Sequence, residues 1–80
     1  MLNRTARAAF DDYLIQAEAM PSAHELGSEH VLGWAAGLVA YALFAGDINH
    51  KESTLLHTRI QAVRSRRVVM LCQEARRATA

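Results

Sequence analysis

The stretch His24-Glu25-Leu26-Gly27-Ser28-Glu29-His30 comes nearest to carrying chemistry. An H-E-x-x-H pattern on a helix sets two histidines on one face, where they bind zinc beside a glutamate base. Here Ser28 stands where the second histidine belongs. His30 follows His24 by six residues, about 240° around a helix, and Gly27 interrupts the turn between them. His50 and His57 add nitrogen donors without completing a ligand set, and Cys72 is the only thiolate. The histidines are therefore expected at the surface or at helix caps, with no metal and no cofactor.

Other chemistry is equally incomplete. Asp11 and Asp12 are adjacent, so on a helix they point about 100° apart and make a poor carboxylate dyad. Cys72 needs a neighbouring base or positive field to become a nucleophile. Arg76 lies four residues on, but the setting Val68-Val69-Met70-Leu71-Cys72 predicts a buried structural thiol. The chain has no glycine-rich phosphate loop, no G-x-S-x-G elbow and no Cys-x-x-Cys pair. Ser22 to Leu38 has the outline of a helix-turn-helix with Gly27 at the turn, yet its second helix is uncharged from Val31 to Gly46. Reading base edges requires hydrogen-bonding side chains and flanking phosphate contacts, so that motif is excluded. A non-enzymatic protein is expected.

The elements that hold these residues are helical. With 80 residues, 51% hydrophobic, one proline and four glycines, the chain is too apolar for disorder and too poor in turn formers for a β-sandwich. One all-α domain is expected over residues 1–80. Leu2, Ala6, Phe10, Tyr13, Ala17 and Met20 recur at spacings of four and three, which predicts an amphipathic helix over about 3–20, stopped by Pro21. A linker over 21–28 follows, with Ser22 and Glu25 matching a capping box and Ser28 a second candidate N-cap. The apolar helix is expected over about 29–45, ended by Gly46. Asp47 or Asn49 then caps a third helix over about 49–77, Asn49 forming an N-x-x-E box with Glu52. The last two helices make a C-terminal αα-hairpin.

The middle helix poses the main physical question. From Val31 to Gly46 it carries 16 residues and no charge, bounded by Glu29, His30 and Asp47. That is short of the roughly 20 apolar residues a membrane crossing needs, so membrane insertion is not expected. Gly33 and Gly37 form a G-x-x-x-G, a spacing that lets two helices approach closely. Two amphipathic neighbours cover only part of such a helix, leaving a strip drawn from Trp34, Leu38, Tyr41 and Phe44 in water. Contiguous apolar patches commonly mark association sites. A small domain without an internal disulfide also gains most from a partner subunit. The expected answer is a second copy of the chain, giving a homodimeric helical bundle; the alternative is a compact monomer with the linker folded over the strip.

Charge is distributed unevenly. Residues 8–58 hold seven acidic side chains and one lysine, a balance of −6, while residues 59–80 hold six arginines and Glu74, a balance of +5. Arg59, Arg66 and Arg77 fall near one side of the third helix, whereas Arg64, Arg67 and Arg76 point elsewhere. Arg59, Arg64, Arg66, Arg76 and Arg77 are candidates for docking an acidic protein surface or, alternatively, nucleic acid. The simpler expectation is that such residues complement a helix C-terminus and pair with acidic side chains of neighbouring helices. Arg67 and Glu74 fall on the packing seam, where an unpaired charge is costly, and antiparallel pairing of two copies would set one against the other. Together these readings predict a small regulatory or adaptor protein that works by protein–protein contact as a homodimer. The single cysteine and the early Asp11 and Asp12, which preclude a signal-peptide core, point to the cytoplasm.

Overall fold

A computed structural model describes residues 1–79. It consists of three α-helices, α1 (Arg4–Ala19), α2 (Glu25–Phe44) and α3 (His50–Thr79), with a 3₁₀ turn at Ser22–His24 between the first two. No strand occurs among the described residues.

Local signals explain where the helices begin and end. Asn3 caps α1, its side-chain oxygen accepting from the Ala6 N–H at 2.8 Å. Asn49 does the same for α3 through the Glu52 N–H, also at 2.8 Å. The N-x-x-E box is only half formed, because the Glu52 carboxylate turns to the amino group of Met1, 3.4 Å away. In the same loop, Gly46 after the end of α2 has φ +82°, a conformation open to glycine at little cost. The N–H groups of Gly46 and Asp47 return to the carbonyls of Leu43 and Ala42 at 3.2 and 2.9 Å, closing a Schellman stop.

The start of α2 differs from expectation. It begins at Glu25, so Leu26, Gly27 and Ser28 are helical, and neither Ser22 nor Ser28 caps it. Fully buried Ser28 instead donates its hydroxyl to the Ala17 carbonyl at 2.9 Å, meeting one of the orphan acceptors at the end of α1. Glu25, expected to serve the capping box, is drawn to Arg67.

Phe10, Leu14 and Ala17 of α1, Val31, Leu32, Ala35, Val39 and Ala42 of α2, and Leu56, Ile60 and Val63 of α3 form one core. Burying each of the larger side chains contributes about 1.5–3 kcal/mol. α3 is the longest element. Its 30 residues span about 45 Å, against about 24 Å for α1 and 30 Å for α2, so its last turns run past the other two and stretch the chain to 51 × 20 × 16 Å. That overhang corrects the burial expected for Cys72, which is exposed, as are Val68 and Val69 in the apolar stretch before it.

Arg67 closes the open end of the bundle. Only 3% exposed, it takes the seam position after Leu56, Ile60 and Val63. Its Nη1 donates to the carbonyls of Ala17, Glu18 and Met20 at 3.0, 3.3 and 2.7 Å, and its Nη2 to Pro21 at 3.3 Å. Its Nε pairs with Glu25. One guanidinium thus caps α1, fixes the Pro21 turn and anchors the first turn of α2. A cation suits this place because the carbonyl ends of α1 carry partial negative charge. Its engagement within the chain leaves it unavailable for the intersubunit pairing expected with Glu74, which stands exposed on the overhang.

Arg67→Ala strands Glu25 and the α1 carbonyls, and is expected to cost about 3–5 kcal/mol in urea unfolding, with Arg67→Lys recovering only part because three donors cannot span five acceptors. A loss below about 1 kcal/mol would show that the guanidinium closes nothing.

Candidate interaction surface

α2 has two faces of opposite fate. Val31, Leu32, Ala35, Val39 and Ala42 turn inward and are at most 4% exposed. Diametrically opposite runs a row of six exposed residues, Leu26, His30, Gly33, Gly37, Ala40 and Phe44, at spacings of four, three, four, three and four. This alternation is the spacing at which residues line one face of a helix. Leu26 is 73% and Phe44 96% exposed, so large apolar groups stand in water at both ends of the row.

Trp34 and Tyr41 flank the row on one side, 57% and 75% exposed. The Trp34 ring meets the Tyr13 ring in a T-shaped contact, with centroids 6.0 Å apart and planes at 61°, so the fold fixes its position. Leu38, expected in the same strip, is half-buried and packs on the core.

The centre of the row is flat. A Cβ built on Gly33 or Gly37 meets no atom within 4 Å, so nothing inside the chain requires either glycine. A glycine in a helix interior is destabilising by about 1 kcal/mol relative to alanine, a cost that close approach of an outside surface would offset.

The arginines have a different fate. Arg59 Nη1 lies 2.8 Å from Asp11 Oδ1, an ion pair without hydrogen-bond alignment, and its guanidinium covers the Phe10 ring at 5.1 Å. Arg64 Nε sits 3.0 Å from both oxygens of Glu29. Arg66 grips Glu18 with two nitrogens, Nη2 at 3.0 Å. The acidic and basic halves of the chain thus neutralise one another along the α1–α3 and α2–α3 seams. Arg76 and Arg77, on the projecting end of α3, have no acidic side chain in ion-pair reach among the described residues.

Between α1 and α3 lies an open groove of about 430 Å³, floored by Leu14, Ile15 and Val63 and crossed by the Asp11–Arg59 and Glu18–Arg66 pairs. Both of its carboxylates stand in ion pairs with arginines. Hydrogen bonding to Arg66 holds the Glu18 carboxyl below its ordinary value of 4.5, and raises Arg66 in turn. No three metal-ligating side chains gather among the described residues, and no helix there is long and apolar enough to cross a membrane.

Sequence reasoning missed Leu26, His30 and Ala40 as members of the outer row. The signal was present in the unbroken alternation of fours and threes from 26 to 44. A linker over 21–28 excludes Leu26 and with it one end of the pattern, whereas α2 in fact begins at Glu25. No family model, curated protein or solved structure matches the chain.

In dilute solution Gly37→Ala is expected to stabilise the isolated chain by roughly 0.5–1 kcal/mol in urea unfolding, and a destabilisation would mean that the glycine serves an internal contact. Glu18→Gln is expected to lower stability slightly at neutral pH, since the pair is exposed and screened. Glu18 has a lowered folded pKa, so its contribution is present above 4.5 and fades as the pH falls through that lowered value. The gap between the two proteins in unfolding curves should therefore close in acid; a gap independent of pH would contradict the assignment.

Proposed function

We propose that the protein is a non-enzymatic interaction module, a homodimer that acts as a small regulator or adaptor by binding another protein. The outer face of α2 carries this reading. Leu26, Trp34, Tyr41 and Phe44 hold a broad apolar surface in water around two glycines that the fold itself does not use. An apolar surface of that kind on a small soluble domain is the usual mark of an association site.

The partner surface falls at the projecting end of α3. Arg59, Arg64 and Arg66 are committed to Asp11, Glu29 and Glu18, which leaves Arg76 and Arg77 to meet an acidic protein surface. The same commitment weakens the nucleic-acid reading, since a basic stripe already neutralised by its own chain has few phosphate contacts to offer. A reducing compartment such as the cytoplasm suits a chain whose one cysteine, Cys72, is exposed.

Trp34 is the only tryptophan and stands beside the proposed interface, so its emission reports association. At high protein concentration the emission is expected at shorter wavelength, shifting to the red on dilution as the ring becomes hydrated. Phe44→Ala should move that transition to concentrations about 10- to 30-fold higher. Emission that ignores concentration across the range would refute self-association through this face.

A further inference from the structure

The reading above names a second copy of the chain; the spacing along α2 goes further and specifies how the copy lies. We infer that two α2 helices pack antiparallel about a two-fold axis passing at the level of Ala35, with Gly33 of each copy against Gly37 of the other. This inference rests on the proposed homodimer.

The row is a spatial palindrome. Read from either end, Leu26, His30, Gly33, Gly37, Ala40 and Phe44 give the same succession of intervals, and the midpoint falls between the glycines. A two-fold axis there sets Leu26 against Phe44, His30 against Ala40, and Gly33 against Gly37. The end layers then pair two large apolar side chains, the next set His30 beside the small Ala40, and the centre sets glycine against glycine. A two-fold interface is self-complementary in this sense, residue i meeting j while j meets i.

Three further observations favour the antiparallel sense. His30 and the hydroxyl of Tyr41 are polar groups on the row and the Trp34 flank, beside the Trp34 indole N–H, and they are 11 positions apart. Antiparallel pairing brings His30 of one copy level with Tyr41 of the other on the same flank, so that each finds a hydrogen-bonding partner as water is expelled. Parallel pairing leaves them about 16 Å apart along the axis. Trp34, one residue from the axis level, comes beside its own symmetry mate, its position already fixed by the T-shaped contact with Tyr13. The dipoles of the two helices also oppose, which parallel packing would deny.

The area is sufficient. Leu26, Trp34, Tyr41 and Phe44 are 73%, 57%, 75% and 96% exposed. With side chains of this class offering about 150–250 Å² each, covering them removes on the order of 600 Å² per copy, or about 1,200 Å² in all, the lower edge of the stable-interface range. With glycine against glycine at the crossing, the axes approach to about 8 Å, the short end of helix–helix separations. Between Val31 and Gly46 no charged residue opposes that approach.

The test uses the full chain carrying Cys72→Ser, which removes the native exposed thiol. His30→Cys and Ala40→Cys are made separately, mixed, and treated with a short bis-maleimide, while native mass spectrometry records the assembly of the unmodified chain. The inference predicts a two-chain native mass and a covalent dimer in the mixture that exceeds either variant alone. Cross-linking within each single variant but not preferentially between them would overturn the antiparallel register while leaving the homodimer standing. A two-chain mass with no cross-link in any tube would place the interface elsewhere and also overturn it. A single-chain mass throughout would sink the homodimer itself. As a second check, Gly37→Leu should raise the dimer dissociation constant at least about tenfold while the separated chain stays folded, because no atom of the chain lies within 4 Å of a Cβ there; an unchanged constant would overturn the glycine crossing.

Discussion

A helix that is apolar around its whole circumference needs walls on every side, and this chain supplies walls on one. α1 and α3 both press on the same face of α2, where Ala35 and Val39 are fully enclosed, and neither reaches the opposite meridian. The rest of the architecture follows from that shortage. With few residues to build from, the chain commits its large side chains to one core and leaves Phe44 almost wholly in water.

The three helices share one apolar core, and arginines paired with acidic groups close its end and fasten its edges. Arg67 replaces a hydrophobic residue at the end of the α3 seam, and its five acceptors repay the cost of burying its charge. Arg59, Arg64 and Arg66 fasten the outer edges in exposed pairs, each individually weak in water. The lopsided charge of the sequence is in this respect an internal fastening scheme, with its basic remainder displaced to the overhanging turns of α3.

Much of the helical framework was legible in the sequence because its signals are local: a proline at position 21, a glycine with positive φ at position 46 and an asparagine cap at position 49 each act within one turn. Two departures at the start of α2 arise where a distant group outbids a local one. Ser28 and Glu25 looked like caps for their own helix, yet a buried carbonyl at Ala17 and a guanidinium 42 residues away claimed them. The apolar setting of Cys72 reads as a buried one, but burial depends on whether a neighbouring helix is long enough to reach it. For the candidate face, the exposure of Trp34, Tyr41 and Phe44 follows from the crowding of α2 alone; that Leu26 completes the row required knowing where α2 starts.

The central claim is that the outer meridian of α2 meets protein rather than water. X-ray scattering over a concentration series addresses it without altering a residue, because the forward intensity gives the mass and the low-angle slope gives the size. The account predicts, at high concentration, forward scattering of two chains and a radius of gyration clearly above the 14.4 Å of one chain's Cα trace. Forward scattering of a single chain at every concentration, with a radius that never leaves the single-chain value, would contradict it.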